Sequence, residues 1–144
     1  MTAPRTGRAS IDGGARGNPG AAGCGIVLEA GGRREEHTLF LGTATNNVAE
    51  YAALLATLER ARALGLEALA VHSDSQLLVE QMNGGYRVKA AHLKGLWLRA
   101  RTLAAGMRRF SIVHVPREAN RKADALVNRA IDGRVSTLPR PEGV

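Results

Sequence analysis

Four carboxylates, far apart in a chain of 144 residues, each stand where one element gives way to another. Asp12 follows the short run Arg8 to Ile11 and precedes Gly13-Gly14-Ala15-Arg16-Gly17-Asn18-Pro19-Gly20, a stretch in which backbone can approach a ligand closely. Glu50 stands near the start of a helical repeat, Asp74 just past the apolar run Ala68 to His72, and Asp124 early in the last helical stripe. Each has an ordinary explanation: the macrodipole favours an acid near a helix start, Asp74 could serve as an N-cap, and Asp124 could be a solvated charge near Arg121. Gathered on one rim, the four would repel one another unless a cation neutralised them. No Cys or His group at ligand spacing accompanies them, so the donors are all oxygen and select Mg²⁺ or Mn²⁺ over zinc. Two such ions about 3.5–4 Å apart suit the displacement of an oxygen at phosphorus. Phosphodiester hydrolysis is the chemistry to expect.

The elements must therefore bring these acids together. Residues 8–12, 23–29 and 36–41 read as three strands joined by short turns, the second turn at Gly31-Gly32, and so form an antiparallel meander. The period then changes. Tyr51, Leu54, Leu55 and Leu58 recur at helical spacing within residues 47–64, and Gly65 ends that helix. A strand at 68–72, helices at 76–82 and 91–105, a strand at 110–115 and a helix at 120–131 complete the chain. The class is α/β: a five-stranded mixed sheet, three strands in a meander and two parallel ones, flanked by helices. Helical crossovers make the last two strands parallel to the first. All four acids then fall at one end of the sheet, by the switch point between the first and fourth strands, where open α/β sheets bind ligands.

Twenty basic residues against thirteen acidic ones give a net charge of +7 and suit a polyanionic partner such as nucleic acid. Only three of the twenty are lysines, so an arginine-rich composition explains part of that excess. The length fits one domain, residues 1–132, with 133–144 expected as a flexible tail. No apolar run approaches a membrane span, residues 1–7 lack the apolar core of a secretory signal, and Cys24 stands alone. A cytoplasmic monomer without a membrane association is the expectation.

The segments Ile11-Asp12-Gly13-Gly14 with Gly17-Asn18-Pro19-Gly20, Thr45 to Tyr51, Ser73-Asp74-Ser75-Gln76 and Val115 to Asp124 resemble the type 1 ribonucleases H, in that family's order and over nearly the whole domain. The resemblance implies an RNase H-like fold and an endonuclease that cuts the RNA strand of RNA/DNA hybrids with Mg²⁺ or Mn²⁺, two ions with substrate bound. It implies that Asp12, Glu50, Asp74 and Asp124 hold the metal, that Asn18, Asn47 and Gln76 contact the hybrid's minor groove, and that Thr45 and Ser75 hold the DNA strand. A non-catalytic nucleic-acid-binding module of this fold is the alternative. The chain departs from many members in two places. It lacks their basic protrusion, since Gly84-Gly85-Tyr86 leads directly to the next helix; Arg87, Lys89, Lys94 and Trp97 are the candidates to replace it. The loop before the last acid presents Arg117 where better-known members carry a histidine, while His114 falls inside the last strand. Arg117 is the candidate auxiliary residue, with His114 as the alternative.

Overall fold

The computed structural model describes residues 5–144; residues 1–4, part of the segment read above for a secretory signal, lie outside it. The chain runs β1 (Thr6–Gly17), β2 (Gly20–Ala30), β3 (Arg33–Ala44), α1 (Asn46–Ala63), β4 (Ala68–Ser73), α2 (Gln76–Asn83), α3 (Ala91–Ala105), β5 (Arg109–His114), a 3-10 turn (Arg117–Ala119) and α4 (Arg121–Gly133). The sheet order is β3-β2-β1-β4-β5, with β1, β2 and β3 antiparallel and β4 parallel to both β1 and β5. The mixed sheet and the switch point between β1 and β4 are those expected from the sequence. No described helix is long and apolar enough to cross a membrane.

Glycines set how closely the helices approach the sheet, and the alternation of strand residues decides which helix each one meets. A Cβ on Gly13 would lie 2.3 Å from the carbonyl group of Ala49, so α1 presses directly on β1. A Cβ on Gly25 would lie 2.1 Å from the Ala123 carbonyl oxygen, and α4 presses on β2 from the other face. The glycine-rich stretch is thus mostly strand rather than loop. β1 continues past Asp12, pairing Gly13 with Cys24 through to Gly17 with Gly20, and Asn18-Pro19 closes a tight hairpin at which Gly17 takes φ 93°.

Helix α1 is apolar nearly all round, because it lies between the sheet and α3: Leu54, Leu55 and Leu58 are buried, as are Ala52, Ala53, Ala56 and Ala61. Thr57, also buried, satisfies its hydroxyl by donating to the Ala53 carbonyl at 2.8 Å. Tyr51 Oη donates to Gln81 Oε1 at 2.6 Å, and Trp97 Nε1 donates to the Gln81 carbonyl at 3.0 Å, so one buried amide residue ties α1, α2 and α3 together.

Within residues 133–144, expected as a flexible tail, Ser136, Thr137 and Arg140 bond to β3, the outermost strand of the meander. Thr137 N–H donates to the Thr38 carbonyl at 2.8 Å, Thr38 N–H to Thr137 Oγ1 at 3.0 Å, Phe40 N–H to Ser136 Oγ at 2.9 Å and Arg140 to the Leu41 carbonyl at 3.0 Å. These bonds occupy groups that an edge strand otherwise leaves open. Beside them, Arg60 of α1 grips both oxygens of Glu35 at 2.9 and 2.7 Å, and His37 Nε2 lies 2.8 Å from the same carboxylate. The Arg60 guanidinium foremost, helped by His37, holds the Glu35 carboxyl down at about 2. A carboxylate held below its ordinary value stabilises the fold above that value, and the contribution fades as pH falls through the depressed one. Glu35→Gln should therefore cost about 1–2 kcal/mol at pH 7, once solvent screening is allowed for, and almost nothing near pH 2. Urea unfolding of both proteins across that pH range measures the difference.

Candidate active site

The C-terminal ends of β1 and β4 and the starts of α1 and α4 converge on a cleft of about 380 Å³, lined among others by Asp12, Asp74, Asp124, Arg117, Asn46 and Arg16. Asp12 sits on β1 with its side chain on the α4 face and is 7% exposed. Glu50 reaches it from the second turn of α1, where Gly13 N–H donates to Glu50 Oε1 at 2.8 Å. That bond needs the close approach of α1 to β1, and hence the missing side chain at Gly13. Asp74 follows β4, and the cap of α2 is not Asp74 but Ser75, whose Oγ accepts from Leu78 N–H at 3.2 Å. Freed from capping, the Asp74 carboxylate can turn to the cleft.

Oxygen atoms of Asp12, Glu50 and Asp74 all lie within 4.8 Å of one another. Asp124, in the first turn of α4, lines the same cleft without belonging to that group of three. Its position is set by Asn120, 2% exposed, whose Nδ2 donates to the Ile11 carbonyl at 2.8 Å and so pins the start of α4 beside Asp12. Asn120 was not singled out from the sequence. It falls at the start of the helix expected over 120–131, and its side chain makes no cap bond.

Burial, then the nearby charges of Asp74 and Asp124, push the Asp12 carboxyl up to about 8. Burial, with Asp12 and Asp74, also raises Glu50 well above the ordinary carboxylate range, against the opposing Gly13 hydrogen bond. Three carboxylates this close fit a hard divalent cation: their donors are all oxygen, and their mutual repulsion is the penalty that such a charge removes.

The remaining candidates divide by position. Arg117, on the 3-10 turn, lines the cleft with Nη2 3.9 Å from Asp124 Oδ1 and its side chain 80% exposed. His114 ends β5, paired in register with Ser73, and is not among the residues lining the cleft. Asn18, Asn47 and Gln76 are exposed on the same rim. Asn18 Oδ1 accepts from Asn46 N–H at 2.9 Å, and Asn46 Oδ1 accepts from Ala15 N–H at 2.9 Å, so two asparagines lash the hairpin to the start of α1. Thr45 caps α1 by accepting from Val48 N–H at 3.2 Å. The Thr45 and Ser75 hydroxyls thus use their oxygens as caps, and the Ser75 hydroxyl also hydrogen-bonds to Glu50. Gln76 Nε2 lies 3.4 Å from Tyr86 Oη.

Residues 10–130 match the family model described as Reverse transcriptase-like. The chain is 45% identical to Ribonuclease HI of Halobacterium salinarum over 86% of its own length and 63% of that protein. It is 46% identical to the bifunctional protein Rv2228c of Mycobacterium tuberculosis over 84% of its length and 34% of that protein. It therefore spans about two thirds of one of these curated relatives and one third of the other. The crystal structure of the Halobacterium RNase H1 superposes with a TM-score of 0.84 at 43% identity, covering 89% of this chain and 98% of that one. LC11-RNase H1, solved in complex with RNA/DNA hybrid, gives 0.83 at 40%, covering 90% and 99%.

The repulsion within the cluster yields a test that does not depend on activity. Millimolar Mg²⁺ or Mn²⁺ should raise the melting temperature by roughly 3–6 °C, and EDTA should return it. Asp12→Asn removes a carboxyl that the metal-free fold must either protonate or hold charged against its neighbours, so the metal-free variant should melt above the metal-free wild type and lose the response to added ion. Scanning fluorimetry reads both.

Proposed function

The chain belongs to the type 1 ribonuclease H family, and from that membership we propose that it hydrolyses the RNA strand of RNA/DNA hybrids. The observation that carries this reading is the meeting of Asp12, Glu50 and Asp74 within 4.8 Å at the sheet's switch point. A structural neighbour bound to an RNA/DNA hybrid supports the choice of substrate. Asp12, Glu50, Asp74 and Asp124 would hold two Mg²⁺ or Mn²⁺ ions with substrate bound. Those ions would supply a nucleophilic water and relieve charge on the departing oxygen at phosphorus.

The protein's own residues do the rest. Gly13 N–H keeps Glu50 turned toward Asp12, and Asn120 keeps α4 in place for Asp124. Exposed amides at Asn18, Asn47 and Gln76 lie on the rim where a minor groove would rest, and such groups suit base edges and 2′-hydroxyls, which mark a strand as RNA. Thr45 and Ser75, polar residues at the starts of α1 and α2, would hold the DNA strand, where hydroxyls and helix-start N–H groups suit phosphate oxygens. Arg117 extends into the cleft as a permanent cation, able to hold a phosphate with two N–H groups while the displaced oxygen leaves, and unable to carry a proton at neutral pH.

Incubated with an end-labelled RNA/DNA hybrid and Mg²⁺ or Mn²⁺, the protein should cut the RNA strand and spare the DNA, and Asp12→Asn should lose at least about 100-fold in rate. A hybrid that is bound and left intact with either ion would make the chain a binding module instead. For the auxiliary residue, Arg117→Ala should slow kcat by about tenfold with KM nearly kept, and His114→Ala should leave both unchanged. The reverse pattern would return the role to His114.

A further inference from the structure

Arg16 lies four residues beyond Asp12 on β1. Alternation puts Asp12, Gly14 and Arg16 on the face turned to α4, and all three line one cleft. Gly14 keeps the ground between them open, for a Cβ there would meet Val127 Cγ1 only at 3.6 Å and Asn46 Oδ1 at 4.0 Å. At a strand rise of about 3.3 Å per residue, the carboxylate and the guanidinium spring from points some 13 Å apart, so Arg16 reaches a stretch of the cleft that the acids do not.

The Arg16 guanidinium is held but not used up. Nη1 pairs with Asp132 Oδ1, and Nη2 donates to Asn128 Oδ1 at 3.2 Å, both on α4. Of its five N–H donors, three have no such partner among the described residues. The ion pair is open to water, with the side chains 48% and 65% exposed, and pairs of that kind are weak. Nor does the hairpin need the pair for its shape, because the β1–β2 ladder runs to Gly17 and Gly20, and Asn46 already fixes the Ala15 N–H. A guanidinium so placed is a ready fork for a phosphate.

We propose that Arg16 is a substrate-binding residue that grips a backbone phosphate flanking the scissile one, with Asp132 holding the guanidinium in place and competing with that phosphate for it. This rests on the hybrid-cleaving reading above and adds to it a phosphate subsite and an internal acidic competitor. The competition separates the idea from a plain clamp between hairpin and α4. A clamp weakens when either partner is lost. A competitor's removal strengthens binding.

The test measures fluorescence anisotropy of a labelled RNA/DNA hybrid against Arg16→Ala, Arg16→Lys and Asp132→Asn, each in the Asp12→Asn background so that the probe survives, from 50 to 200 mM salt. Arg16→Ala should bind about tenfold more weakly, with the slope of log Kd on log salt reduced by about one. Arg16→Lys should recover the slope and part of the affinity. Asp132→Asn should bind about threefold more tightly. In otherwise wild-type protein, Arg16→Ala should raise KM and leave kcat nearly unchanged. Equal affinity for Arg16→Ala and its parent, or weaker binding by Asp132→Asn in parallel with Arg16→Ala, overturns the subsite while hybrid cleavage stands. A parent that binds no hybrid, with no cleavage by the wild type, overturns the hybrid-cleaving reading and the subsite with it.

Discussion

Repulsion among carboxylates is the constraint to which the rest of the structure answers. Asp12 is almost wholly buried beside Glu50 and Asp74, with Asp124 on the same cleft, an arrangement that disfavours the ionised form and opposes folding at neutral pH. Such a cluster persists only where the surrounding scaffold is stable enough to over-determine it. Much of the close packing on either face of the sheet can be understood as that over-determination.

The scaffold supplies it through backbone rather than through long side chains. Gly13 lets α1 touch β1, and the same contact delivers a main-chain N–H to Glu50. Gly25 does the equivalent for α4, whose N-terminal end is then fixed by a single buried amide, Asn120, reaching across to the Ile11 carbonyl next to Asp12. Thr45 and Ser75 take the capping roles at α1 and α2, which leaves neighbouring acids without structural work. A Cβ at position 13 or 25 would push a whole helix, and its carboxylate with it, away from the rim. The glycines beside the acid are therefore as much a part of the site as the acids are.

The order and direction of the elements were legible in the sequence, because hydrophobic period changes sharply between the meander and α1 and because glycine ends α1 and α2. The convergence of the four acids was legible for the same reason: each lies at a junction that the topology sends to one end of the sheet. What could not be read were features that depend on the partner element. Residues 13–17 look like a loop, and only their pairing with residues 20–24 makes them strand. Ser136, Thr137 and Arg140 look like a mobile tail, and their bonds to β3 follow from that strand being an edge. Asn120 falls at the start of the expected helix 120–131 with nothing to mark it, and its bond to Ile11 exists only once α4 has packed on the sheet. Asp74 was equally ambiguous with its neighbour Ser75, since both are good caps and the choice between them is made by which side chain the cleft draws away.

The distribution of charge makes the cluster's isolation clearer. The chain has seven more basic than acidic residues, and elsewhere its acids have found them: Glu35 with Arg60, Glu59 with Arg99, Glu67 with Arg108, Asp132 with Arg16. Among the described residues, no lysine or arginine forms an ion pair with Asp12, Glu50 or Asp74, and Arg117 approaches only the outlying Asp124. An arginine fixed in the cluster would settle the repulsion permanently and also occupy the space that a phosphate needs. Leaving three carboxyl groups without a basic partner keeps a local acidic centre in a protein of net positive charge. In the proposed activity a polyanion would be drawn by the whole and held off by the centre until mobile cations filled it, so that substrate and metal would each favour the other's binding.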